Sequence, residues 1–232
     1  EGLFGINPNG LKNELTIQPG FPQQWNHAGI TTPDICFDFV RKGNKDEYRI
    51  KQFNTARFVK LIIPVMKDRL LSVLVNGKQV KWKQVPEVLG QPLVEIIIPA
   101  KDSVVVQITW GGTLFEKLNF KQLYFTGEQI KAGSKKISGF RIFDPQGVFE
   151  RIIHNPLFIA GTIGDKPGHH SFFVKSTQGI FSSWQPVDIY IPQRLHAVDF
   201  DPDITKADKE RINLDAVFND KVTNIFKPQY FS

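Results

Sequence analysis

The sequence predicts an all-β protein: two antiparallel β-sandwich domains, the second immunoglobulin-like, and then a short irregular or helical C-terminal segment. Three observations predict this. Short runs of β-forming residues recur from near the start, the connections between them carry turn chemistry, and no long helical pattern intervenes before Pro192. Strands spaced every ~8–12 residues with turn signals between them point to a sandwich rather than to alternating βα units.

In the first predicted domain, residues 1–112, strand-like runs cover 15–17, 35–41, 48–52, 58–65, 70–75, 79–83, 93–98 and 104–110. Their connections are Lys42-Gly43-Asn44, Asn76-Gly77, Leu89-Gly90-Gln91-Pro92 and Ala100-Lys101-Asp102. Asn76-Gly77 is the strongest signal, because a two-residue type I′ hairpin needs positive φ at both central positions. Gly111-Gly112 closes this set. The second domain, 113–192, carries runs at 123–126, 139–143, 158–162, 171–177 and 187–191, with Asp144-Pro145-Gln146-Gly147 as a turn whose proline fixes φ. Beyond it, 193–232 is an extension. Thr205 to Glu210 is charged enough to open a helix, and Leu214, Val217, Phe218, Val222 and Ile225 fall at roughly helical spacing; an extended segment is the alternative.

Composition bounds the function. At 232 residues, with 41% hydrophobic and 22% charged residues, the chain can bury a core of ordinary size. The longest apolar run, 60–65, falls far short of the ~20 residues a membrane helix needs, so no membrane span is expected. The net charge of +6 raises nucleic acid as a partner. The lysines and arginines are nevertheless mostly isolated or beside acids, the densest run being 131–136, and no nucleic-acid partner is predicted. Cys36 is the single cysteine, so no internal disulfide can form, and a packed, inert thiol is favoured over a nucleophile without a partner base.

The opening reads as a junction rather than a natural start. Glu1-Gly2-Leu3-Phe4-Gly5-Ile6-Asn7-Pro8 has neither an initiator methionine nor the charged and apolar regions of a signal peptide. It runs into Leu15-Thr16-Ile17-Gln18-Pro19-Gly20-Phe21-Pro22-Gln23-Gln24-Trp25. In Gly2, Leu3, Gly5, Ile6 and Pro8, then Leu15, Ile17, Pro19, Phe21, Pro22 and Trp25, the opening resembles the peptide that leaves the helical barrel of six-hairpin glycosidases and glycoside phosphorylases and enters a C-terminal β-sandwich. With Asp144-Pro145-Gln146-Gly147 and Phe218-Asn219-Asp220-Lys221-Val222-Thr223, the whole chain resembles the C-terminal region of large uncharacterised bacterial proteins carrying such a barrel.

The resemblance implies a non-catalytic accessory module of a larger, exported carbohydrate-active protein, periplasmic or at the cell surface. Its partner would be an upstream domain of the same polypeptide, against which Leu3, Phe4, Ile6 and Trp25 would dock. It implies no catalytic residue here, since the family's carboxylates belong to the barrel, and no cofactor.

A glycosidase needs two carboxyl groups ~5–10 Å apart. Asp34, Asp38, Glu47, Glu95, Glu128, Asp144, Glu150, Asp165 and Asp188 are spread singly along predicted strands and turns, which favours surface roles. Asp199-Phe200-Asp201-Pro202-Asp203 with Glu210 partly follows a calcium loop, but Ile204 stands where glycine is needed, so a turn capping a short helix is favoured and no metal is predicted. His169-His170 would point to opposite faces of a strand and cannot chelate one ion well. Among the 20 phenylalanines and four tryptophans, Trp184 and Trp82 are the candidate carbohydrate-binding rings, because exposed aromatic faces stack on pyranoses. For Trp184, docking against another domain is the competing role. An independent carbohydrate-binding module is therefore the alternative to a scaffold, and a self-contained glycosidase the more distant one.

Overall fold

The structure is a computed structural model that describes residues 2–193 in full and the backbone of 195–200, 214–218 and 221–224. It is all-β, built from several mostly antiparallel sheets, with two hydrophobic cores.

The first sandwich packs a five-stranded sheet on a six-stranded one. The five-stranded sheet runs β1 (Ile6–Asn9), β2 (Glu14–Ile17), β6 (Phe58–Pro64), β10 (Leu93–Ile98), β9 (Lys83–Gln84). The other runs β3 (His27–Thr31), β4 (Ile35–Lys42), β5 (Lys45–Gln52), β11 (Ser103–Leu114), β7 (Lys67–Val75), β8 (Lys78–Gln79). Alternation decides what is buried. Val59, Leu61 and Ile63 of β6, Val94, Ile96 and Ile98 of β10, Phe37 and Phe39 of β4, and Val104, Val106 and Ile108 of β11 all point inward.

The Asn76-Gly77 hairpin forms with φ of 49° and 77°, and Val75 pairs with Lys78. One expectation needs correction: β2 and β6 pair in parallel, Leu15 opposite Val59. Between them the chain crosses to the opposite sheet for β3, β4 and β5, and it re-enters running the same way. Strands β1 and β3 were not anticipated, because Ile6-Asn7-Pro8-Asn9 and His27-Ala28-Gly29-Ile30-Thr31 are too polar or too small to carry a strand pattern.

On the outer face of the five-stranded sheet, Glu95 takes the ammonium groups of Lys83 at 2.9 Å and Lys60 at 3.1 Å. Burial pushes its carboxyl up, but the two lysines outweigh this and hold it below its ordinary 4.5. A depressed carboxyl contributes stability fully above pH 4.5 and loses it as pH falls through the lower folded value. Acid titration of unfolding should therefore show Glu95→Gln less stable at neutral pH, with a shallower loss below pH 4.5; parallel curves for the two proteins would refute the assignment.

The second sandwich has two three-stranded sheets. One runs β12 (Gln129–Ala132), β15 (Ile159–Ile163), β14 (Phe149–His154); the other runs β13 (Ile137–Phe143), β16 (Gly168–Gln178), β17 (Phe181–Ile191). Its core holds Ile130, Val148, Ile163, Phe172, Val174, Val187 and Ile189. The predicted strand at 123–126 is not one. That segment meets β17 at a single parallel bridge, Leu123 to Tyr190, and the first true strand comes later at Gln129. Strand β14 escaped the sequence reading because its residues are mostly exposed and show no alternation.

The C-terminal expectation is also corrected. β18 (Leu195–Phe200), β19 (Leu214–Phe218) and β20 (Lys221–Asn224) form a three-stranded antiparallel sheet, neither irregular nor helical. Val217 pairs with Val222 and Phe218 with Lys221, so spacing that resembled a helix is two short strands of β-branched and aromatic residues. Thr205 to Glu210, Ile225 and most of the Asp199–Glu210 acidic segment lie outside the described residues.

Candidate functional site

Two regions gather the residues singled out by sequence. The first is the opening peptide. Strand β1 pairs Ile6 with Ile17 and Pro8 with Leu15, and Leu3 O and Gly5 O accept from Gly20 N and Gln18 N. Gly5 has φ +57°, and a Cβ there would lie 2.0 Å from the Gln18 carbonyl oxygen, so no side chain fits.

Phe4 packs edge-on against Phe21 at 5.2 Å and against Phe37 at 6.1 Å. Phe21 in turn lies against Phe39 at 5.3 Å and Trp25 at 6.0 Å. Phe4 and Ile6 are thus half-buried on the first core, whereas Leu3 (42% exposed) and Trp25 (39%) stand out from it. Leu3, Phe4, Trp25, His27 and Gly29 line a groove of about 570 Å³. The peptide is anchored from Phe4 onward, and it presents an apolar ridge beside a groove.

Beneath that ridge lies a buried charge. Asp46, 1% exposed, accepts from Arg41 Nε at 2.6 Å, Arg41 Nη2 at 3.0 Å and Trp110 Nε1 at 2.9 Å. The same guanidinium donates to Gln23 O through Nη1, which ties the ion pair to the turn that carries Trp25, while the Arg41 backbone N–H separately donates to Asn26 O.

The second region is the seam between the sandwiches, where both candidate carbohydrate-binding tryptophans are found. Trp184 is half-buried. Its backbone N–H donates to Val88 O at 2.8 Å and its carbonyl accepts from Gly90 N at 2.7 Å, so the 88–90 loop pairs along β17. Its indole N–H donates to Glu87, which also takes Lys175 Nζ, and Lys175 lies 5.6 Å from the ring centroid. Those contacts with Lys175 and Trp184 hold the Glu87 carboxyl below its ordinary value.

Trp82 is half-buried on the first core, 5.7 Å from Phe181. Phe181 belongs to β17 but is fully buried in the first sandwich's core. Around it the hairpin tip is fastened: Gln178 Oε1 accepts from Glu116 N, Gln178 Nε2 donates to Leu114 O, Gln84 and Ser182 exchange hydrogen bonds, and Asp68 O accepts from Ile180 N. The sequence carried no sign of this plug.

The acids are engaged locally. Asp144 takes the backbone N–H groups of Val148 and Phe149, Asp34 takes Asn54, Glu47 takes Gln107 and Arg49, Glu128 takes Lys121 and Phe125 N, and Asp188 takes Ser171. Glu150 and Asp165 both line one open cavity of about 1180 Å³ with Phe125, Phe149 and Lys166. His170 Nε2 lies 2.9 Å from Lys166 O, and the His169 ring sits 4.9 Å from Tyr190. Among the described residues no group of three or more His, Cys, Asp or Glu side chains is placed to hold a metal ion. Cys36 is half-buried, with Thr31 Oγ1 3.4 Å and Asp38 Oδ2 3.6 Å from its sulfur. No helix in the described residues is long and apolar enough to cross a membrane.

The chain matches no protein-family model and no curated protein sequence.

Proposed function

We propose that this chain is a non-catalytic accessory module of a larger, exported bacterial carbohydrate-active protein, in which it holds an upstream domain in fixed orientation through the Leu3, Phe4, Ile6 and Trp25 face. The observation that carries this reading is the anchored opening peptide. Its backbone is laddered to β2 and its Phe4 seated in the aromatic cluster, yet Leu3 and Trp25 are left partly exposed beside a groove. A ridge that is rigid, apolar and uncovered suits a permanent neighbour in the same polypeptide.

The seam adds support. A β17 hairpin tip plugged into the first core makes a stiff two-domain body, as a spacer requires. An immunoglobulin-like second sandwich is part of the proposal: the orders β12-β15-β14 and β13-β16-β17 correspond to B-E-D and C-F-G of that fold.

The test is hydrogen exchange on residues 2–6 and 22–29, compared between this chain and the longer polypeptide that contains it, with a glycoside-hydrolysis screen on the chain. The expected result is protection of both segments in the longer protein and no hydrolysis by the chain. Equal exchange in the two, or turnover by the chain, would sink the reading.

A further inference from the structure

The outer face of the β13-β16-β17 sheet carries a strip that the opening-peptide reading does not use. Cross-strand register sets it out in rows. Arg141 stands opposite Lys175 and Lys175 opposite Trp184; in the next row come Phe143, Phe173 and Pro186. Beyond these Ser171 faces Asp188, and His169 faces Tyr190. Phe143 is 56% exposed and Tyr190 40%, and Pro186, Arg141, Asp188 and His169 are exposed too. The rings form two groups along the strip: Phe143 lies 6.1 Å from Phe173 and 6.4 Å from Trp184, and across the Ser171–Asp188 row the His169 ring lies tilted, 4.9 Å from Tyr190. With two residues per row at ~3.3 Å each, the strip from Trp184 to Tyr190 spans about 20 Å.

We infer that this strip is a binding face for an extended, uncharged polysaccharide. Three features select that ligand. Rings alternate with hydrogen-bonding groups of both kinds (the Ser171 hydroxyl bonded at 2.6 Å to Asp188, the His169 imidazole, the Arg141 guanidinium), which matches a chain whose sugars offer an apolar ring face and a hydroxyl rim. Charge is balanced locally, Lys175 being paired with Glu87 at 2.5 Å and the carboxylate of Asp188 lying in the same strip, so a polyanion such as single-stranded nucleic acid meets acids as well as bases. The charge is also interleaved with the rings, whereas the centre of a protein–protein interface is depleted of charged side chains.

β17 is an edge strand already occupied at both ends of the strip. Tyr190 N donates to Gln122 O and Trp184 N to Val88 O, and Pro186 between them has no N–H to offer. A partner therefore meets chiefly side chains here, with the open edge reduced to the backbone around Asp188. This inference goes beyond the scaffold reading and does not depend on it.

Affinity electrophoresis of the chain through gels containing mixed-linkage β-glucan, xylan, mannan or starch tests it, with polygalacturonate and oligo(dT) as charged controls and light scattering for self-association. At least one neutral polysaccharide should retard the chain. Phe143→Ala with Tyr190→Ala should weaken that binding about tenfold or more while leaving the unfolding temperature unchanged, as removal of exposed anchor rings does at other binding faces. Tyr190→Ala alone should give part of the loss, and Phe53→Ala, on the first sandwich, none. Three results overturn the proposal: no retardation by any neutral polysaccharide, retardation that survives the double variant, or self-association or oligo(dT) binding that the double variant abolishes. None of these bears on hydrogen exchange at the opening peptide.

Discussion

Phe181→Ala is expected to cost about 3–5 kcal/mol, the range for emptying a large aromatic side chain from a packed core. The residue belongs to the second sandwich by sequence but is buried in the first, 5.7 Å from Trp82 and 6.2 Å from Phe115. The loss should lower the unfolding temperature by about 10 °C for a chain of this length. It should also change the form of the transition. With the plug in place the sandwiches share a core residue, and near- and far-ultraviolet circular dichroism should melt together. Without it the remaining fasteners are polar and partly exposed, and the two signals should separate. A variant that melts as one unit within 1 °C of the parent would show that Phe181 is not the coupling element. The hairpin tip cannot easily adjust to compensate, because Gly179 has φ +62° and a Cβ there would lie 2.0 Å from Asp68 O.

Asp46→Ala is the second large effect. Removing one partner of a buried ion pair leaves the other charge uncompensated and typically costs about 3–5 kcal/mol. Here the guanidinium of Arg41, whose side chain is only 10% exposed, would lose its carboxylate partner and keep only Gln23 O, and the indole N–H of fully packed Trp110 would lose its acceptor. Asp46→Asn should cost less, since an amide oxygen can still accept from Trp110. Urea midpoints for the two variants give the ordering, and equal midpoints would argue against a charge contribution. Because the Arg41 guanidinium that Asp46 orients also holds Gln23 O, proteolysis near Trp25 should accelerate in Asp46→Ala before global unfolding. The proposed docking face would thus be weakened from beneath, with none of its own residues altered.

How much was legible follows from which interactions are local. Runs of Val, Ile and Leu in 58–64, 93–98 and 103–110, bounded by turn residues, declare strands because β-forming composition is written in neighbouring residues. Asn76-Gly77 declares a hairpin because its backbone requirement is local too. β14 was hidden because, exposed at a sheet edge, it needs no apolar alternation. The C-terminal strands were hidden because Leu214, Val217, Phe218 and Val222 satisfy a helical spacing by accident over so short a span.

Trp184 and Trp82 were picked out for chemistry that any exposed ring could supply. Their seam position depends on the 82–90 segment meeting β17 across ~100 residues of sequence, which no periodicity encodes. Phe143, Phe173 and Tyr190 went unnoticed for the same reason: each is an ordinary aromatic in its own strand, and only the register of three strands sets them side by side.

By itself, then, the sequence determined the all-β class, two successive strand sets and the tightest turns, since these rest on runs of β-forming residues and on backbone conformations only certain residues adopt. Tertiary structure alone decided the parallel β2–β6 pair, the Phe181 plug, the Asp46–Arg41–Trp110 cluster and the aromatic strip. Each joins residues distant in the chain through sheet register or sheet-on-sheet packing, and the free energy that selects such contacts comes from burial shared between strands rather than from any one of them.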